Sequence, residues 1–99
     1  MITFVRTDEF DRWLAKLRDT RAKARIIIRI RSAERGNFGD CEPVGEGVSE
    51  MRIHFGPGYR VYFTRASKFV YLLLCGGSKR GQNKDIVKAR NLVRLLKEI

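Results

Sequence analysis

The chain has one histidine, His54, and two cysteines, Cys41 and Cys75, which lie far apart with no C-x-x-C pair. A conventional zinc site draws several His and Cys ligands from close spacings, so none is expected here. No apolar run reaches the roughly 18 residues that a membrane span requires. The start, Met-Ile-Thr-Phe-Val-Arg-Thr-Asp, lacks the basic-then-apolar pattern of a signal peptide. The expected location is therefore the cytoplasm, with no membrane partner, where the thiols stay reduced. Cys75 ends an apolar run and reads as a buried thiol. Neither a Walker loop nor a dinucleotide fingerprint occurs, and no cofactor or metal is expected.

Acids are also scarce. Eleven Asp and Glu stand against 21 Lys and Arg, a net charge of +10 on 99 residues. From Met51 onward only Asp85 and Glu98 are acidic, so the field is lopsided. Such a field attracts polyanions, with nucleic acid as the leading partner class and an acidic protein or membrane surface as alternatives. Hydrophobic residues make up 43% of the chain, enough for a real core, and the length suits one domain spanning residues 1–99.

Met1 to Arg6 reads as a short strand. Phe10, Trp13, Leu14 and Leu17 then fall on one helix face, capped by Thr7 or Asp8. The segment "RAKARIIIRIRSAER" contains a β-branched run, but its length, its start and the following Gly36 favour a helix. Gly36 to Gly47, with four glycines and a proline, reads as a loop or wide turn. Met51, Ile53 and Phe55 alternate with Arg52 and His54, and Tyr59, Val61 and Phe63 with Arg60, Tyr62 and Thr64, about the turn Gly56-Pro57-Gly58. "FVYLLLC", Phe69 to Cys75, is apolar throughout, as in a strand flanked on both sides. "GGSKRGQNK" reads as a flexible basic loop. Asn83 or Asp85 then caps a helix with Ile86, Ala89, Val93 and Leu96 on one face. The expected class is α+β, β-α-α-β-β-β-α, with a curled, mostly antiparallel four-stranded sheet and helices on one face.

Alternation then puts Arg52, His54, Arg60 and Tyr62 on the face away from the helices, with Lys79 and Arg80 bordering it. The bland reading is a solvated basic face. The alternative is a site that cuts RNA, whose own 2′-hydroxyl attacks the adjacent phosphate. Histidine exchanges protons near neutral pH, arginine holds phosphate as its charge grows, and tyrosine stacks on a base.

The stretches "GNFGD", "VSEMRIHFGPGYRVYF" and "LLLCGGSKRGQNKDIVKARNL" resemble the RelE/ParE toxin superfamily of bacterial toxin–antitoxin modules, in its HigB-like, phage-derived "addiction module killer protein" branch. The resemblance covers nearly the whole chain, from "TDEFDRWLAKLRD" onward, and implies the same β-α-α-β-β-β-α fold. It implies a toxin that cleaves mRNA in the ribosomal A site without a metal and inhibits translation. The alternative is a non-catalytic inhibitor of DNA gyrase, like ParE. The partners implied are the ribosome, mRNA and a small helix-turn-helix antitoxin encoded alongside. Carried over by motif, Arg60 in "GYR" holds the scissile phosphate, and Arg52 and His54 stand where RelE-type toxins often have lysines. Lys79 and Arg80 match the basic segment after the last strand, and with Lys84 and Lys88 are expected to face ribosomal RNA. The chain departs from some RelE members in having no tyrosine near the start of the last helix.

Overall fold

One side chain, Thr7, both starts the first helix and fastens it to the sheet. Its oxygen accepts the Phe10 backbone N–H at 3.1 Å, and its hydroxyl lies 2.7 Å from the Leu73 carbonyl and 2.9 Å from that of Leu74. In the computed structural model, which describes residues 1–97, Thr7 links β1 (Thr3–Arg6) to α1 (Asp8–Lys16). Glu98 lies outside the described residues. Asp19 then caps α2 (Thr20–Glu34) by accepting from the Arg21 and Ala22 N–H groups. The isoleucine run is helical because one face of α2 buries Ala22, Ile26 and Ala33, and burial outweighs a weak local strand preference.

Four further strands follow: β2 (Cys41–Gly45), β3 (Val48–Ile53), β4 (Tyr59–Arg65) and β5 (Val70–Ser78). A 3₁₀ turn, Lys79–Gly81, leads into α3 (Gln82–Lys97). The sheet order is β1-β5-β4-β3-β2; β1 runs parallel to β5 and the other neighbours are antiparallel.

This architecture is α+β, but it corrects the expected fold in four respects. The sheet has five strands and is mixed, open and not curled. The segment read as a loop holds β2, whose hairpin with β3 turns through Glu46 and Gly47, both at positive φ (54° and 78°). Those residues form a tight two-residue connection of the kind that matches strand twist. Helices cover both faces. Phe10, Leu14 and Ile26 pack with Met51, Ile53, Val61 and Phe63, while Ala89 and Val93 of α3 pack with Val48, Tyr62, Leu74 and Cys75 on the other side. Finally, Gly76-Gly77-Ser78 extends β5 instead of forming a loop, and α3 begins at Gln82, ahead of both expected caps.

The paired glycines in β5 are there for close approach. A Cβ on Gly76 would fall 2.4 Å from the Trp13 ring, and one on Gly77 would fall 1.9 Å from an Asp85 carboxylate oxygen. Trp13 thus packs onto the sheet at Gly76, beside Phe10 and Tyr59. Gly76→Ala is expected to destabilise the fold by about 1–3 kcal/mol through this overpacking. Urea unfolding measures the loss, which should largely disappear in a Trp13→Ala background. An equal loss in both backgrounds would rule out the indole as its cause.

Candidate functional site

The open end of the sheet, where the β3–β4 turn, the end of β5 and the start of α3 meet, gathers the charged residues. Arg52 and Arg60 are register partners across β3 and β4, and one step inward Glu50 faces Tyr62. Period-two alternation puts all four on the α3 side. Glu50 is wholly buried.

Four side chains converge on that carboxylate. Arg52 Nε donates to Oε1 at 3.0 Å, Tyr62 OH donates to Oε2 at 3.0 Å, and Gln82 Nε2 spans both oxygens at 3.3 and 3.0 Å. Arg60 Nε stands 3.4 Å from Oε2 as an ion pair. Burial pushes the Glu50 carboxyl upward, but the hydrogen bonds from Arg52, Tyr62 and Gln82 and the charge of Arg60 outweigh it, and the net shift is downward. The Tyr62 phenol is shifted strongly upward by its own burial and by its hydrogen bond to the Glu50 carboxylate, which outweigh the opposing charge of Arg60, so it stays a neutral donor. A second carboxylate, Glu42, also accepts from Arg52.

Arg60 differs from Arg52 in how little of its bonding capacity the protein uses. Its Nη1 reaches the Gly58 carbonyl at 3.4 Å, and its buried Nε has no hydrogen-bond partner among the described residues. The charge is held in place with 12% of the side chain exposed, so an anion would meet only the outer edge of the guanidinium. Lys79 is close by. Its backbone N–H donates to Gly58 O at 2.8 Å, and a Cβ on Gly58 (φ +78°) would lie 3.5 Å from Lys79 Cβ and 3.8 Å from Arg60 Nη1.

The structure therefore brings Arg52, Arg60 and Lys79 to one end of the sheet, with Arg80 exposed in the adjoining 3₁₀ turn. Four other expected residues stand differently. Tyr62 is fully buried under α3, so its ring is not available to stack on a base. Lys88 is tied to Glu9 at 2.7 Å, and Lys84 lies exposed on α3 beside it, away from the Glu50 cluster. His54 lies past the end of β3, where alternation has stopped. It is exposed, with Nε2 2.6 Å from Asp40 Oδ2, and it lines a groove with Arg25, Ile28, Arg29 and Ile53 of the α2 side. The hydrogen bond from His54 holds the Asp40 carboxyl below its usual value.

Sequence reasoning missed Glu50 and Gln82. The signal for Glu50 was present, since it stands two residues before Arg52 and so shares its face. Cys75 is buried, and burial pushes its thiol up to about 12. Among the described residues, no cluster of three His, Cys, Asp or Glu is placed to hold a metal, and no helix is long and apolar enough to cross a membrane.

No family model matches the chain. Over 87 residues it is 48% identical to an uncharacterized protein of Haemophilus influenzae (strain ATCC 51907 / DSM 11121 / KW20 / Rd), an alignment covering 88% of each chain. The chain belongs to the family of that protein.

Proposed function

We infer that this chain is the toxin of a type II toxin–antitoxin module of the RelE/ParE superfamily, a ribosome-dependent endoribonuclease acting on mRNA in the cytoplasm. The observation that carries the reading is Arg60: a guanidinium fixed against a buried carboxylate, its edge reaching the surface with Lys79 beside it. The reading rests on this site and on the quoted motifs, and not on the fold.

In this mechanism the 2′-hydroxyl oxygen of the RNA bonds to the adjacent phosphorus and the bond to the 5′ oxygen breaks. Negative charge grows on the non-bridging oxygens, where the Arg60 fork and the Lys79 ammonium offset it. Glu50 and Arg52 position Arg60; they do not touch the phosphate. His54 stands in the groove on the α2 side and takes no part in this step: the 2′ proton passes to water, and the departing 5′ oxygen takes a proton from water. The antitoxin encoded alongside blocks the site.

Lys79 and Arg80 supply ribosomal contacts in this reading. Neutralising both to Gln is expected to weaken ribosome binding and to make its logarithmic salt dependence shallower by about 2, one unit per lost phosphate contact. Sedimentation with ribosomes across a salt series measures this. An unchanged affinity and slope would take the 3₁₀ turn out of the interface.

A further inference from the structure

The outer face of α2 carries a row of arginines, of which Arg25 lies 4.6 Å over the Phe55 ring. Arg21, Arg25 and Arg31 are exposed along it, and Arg35 follows just past its end. None has a carboxylate within 4.0 Å among the described residues, in contrast to Arg52, Lys88 and Arg94. In the middle of the row stands Ile28, 63% exposed. It borders the groove of about 470 Å³ formed with Arg25, Arg29, Ile53 and His54.

We propose that this face docks an acidic, amphipathic polypeptide segment, with carboxylates on the flanking arginines and one apolar side chain over Ile28 in the groove. The central isoleucine decides between polyanions. A phosphodiester backbone would find four guanidiniums but nothing to match Ile28, whereas a peptide supplies carboxylates and an apolar anchor together. Arginine suits the task because its fork binds carboxylate bidentately. A second copy of this chain is a poor occupant, because Glu9, Asp11, Asp40, Glu42, Glu46 and Glu50 are already engaged in internal ion pairs. The surface lies on the opposite face of the sheet from Glu50 and Tyr62, so the proposal does not depend on the nuclease reading.

The test uses the full chain and a labelled helical peptide as long as α2, with one leucine flanked on each side by a pair of glutamates. Fluorescence anisotropy should show saturable binding that weakens with salt. Ile28→Ser should weaken it about tenfold, and Arg21→Gln with Arg31→Gln should weaken it by about three- to tenfold and flatten its salt dependence. Both variants change exposed side chains, and unchanged thermal melts confirm that they fold. Absence of peptide binding, or binding indifferent to Ile28→Ser, would overturn the proposal. So would an RNA duplex that competes fully for the face and loses affinity in the arginine variant but not in Ile28→Ser, since the face would then serve nucleic acid. Ribosome-dependent cleavage is read separately, so failure here leaves the Arg60 reading standing, and the reverse holds too.

Discussion

Arg60→Ala is expected to lower single-turnover cleavage of A-site mRNA by about 10²–10³ while leaving ribosome binding nearly unchanged. The size follows from removing a fixed donor aimed at charge that grows only in the transition state. The separation of rate from binding follows from the geometry: Arg60 sits at the sheet end against Glu50, whereas the exposed cations Lys79 and Arg80 are the ones available for docking. Arg60→Lys should recover only part of the loss, because one ammonium cannot reproduce the guanidinium fork. Arg60→Ala also removes the ion pair to buried Glu50 and should lower stability, so cleavage is compared at a temperature where thermal melts show the variant folded. Wild-type cleavage by Arg60→Ala would mean that the phosphate is held elsewhere.

Replacing Glu50 should have the largest effect on stability. Glu50→Ala leaves Arg52, Arg60, Tyr62 and Gln82 facing one another without the carboxylate that joins them. Removing one member of a buried charge cluster costs about 3–5 kcal/mol. The Arg52 side chain is 28% exposed and keeps Glu42, which favours the lower end of that range. A loss of about 3 kcal/mol corresponds to a fall in Tm of roughly 12–24 °C for a domain of this size. The same carboxylate sets a pH dependence. Its folded pKa lies below the usual 4.5, so its contribution is fully present above that value and is lost as pH falls through the folded pKa. Wild-type stability should therefore drop on acidification below about pH 4.5, and Glu50→Gln should be weaker at neutral pH and lack this component of the acid transition. Thermal melts from pH 7 to pH 3 measure both effects. A Glu50→Gln profile parallel to wild type through that window would show that Glu50 is not the group responsible.

Much of this arrangement can be read from alternation, and the errors have physical causes. Arg52 and Arg60 share a face because period two holds through β3 and β4. His54 was placed with them because its parity matches, but the Phe55 N–H already bonds to the Ile53 carbonyl at 2.9 Å, and the chain has begun to turn. Tyr62 has the right parity and the wrong exposure. A pattern in β4 shows that two faces differ and not that α3 covers one of them, although β5, apolar at every position from Phe69 to Cys75, carried that information. β2 was hidden by Pro43 and by the glycines around it, which sit at an edge strand and its turn, where they do not interrupt a ladder from both sides. Glu50 was left out of the candidate site, although its spacing from Arg52 puts it on the same face.

The central claim is that Arg60, held by Glu50, makes this chain a nuclease on the ribosome. Sequencing of mRNA 5′ ends on translating ribosomes after brief induction, for wild type and Arg60→Ala side by side, tests it most directly. The account predicts new ends in phase with codons for the wild type and their absence for Arg60→Ala at equal protein level. Growth arrest with no codon-phased ends, and with accumulated gyrase–DNA cleavage complexes in their place, would contradict it.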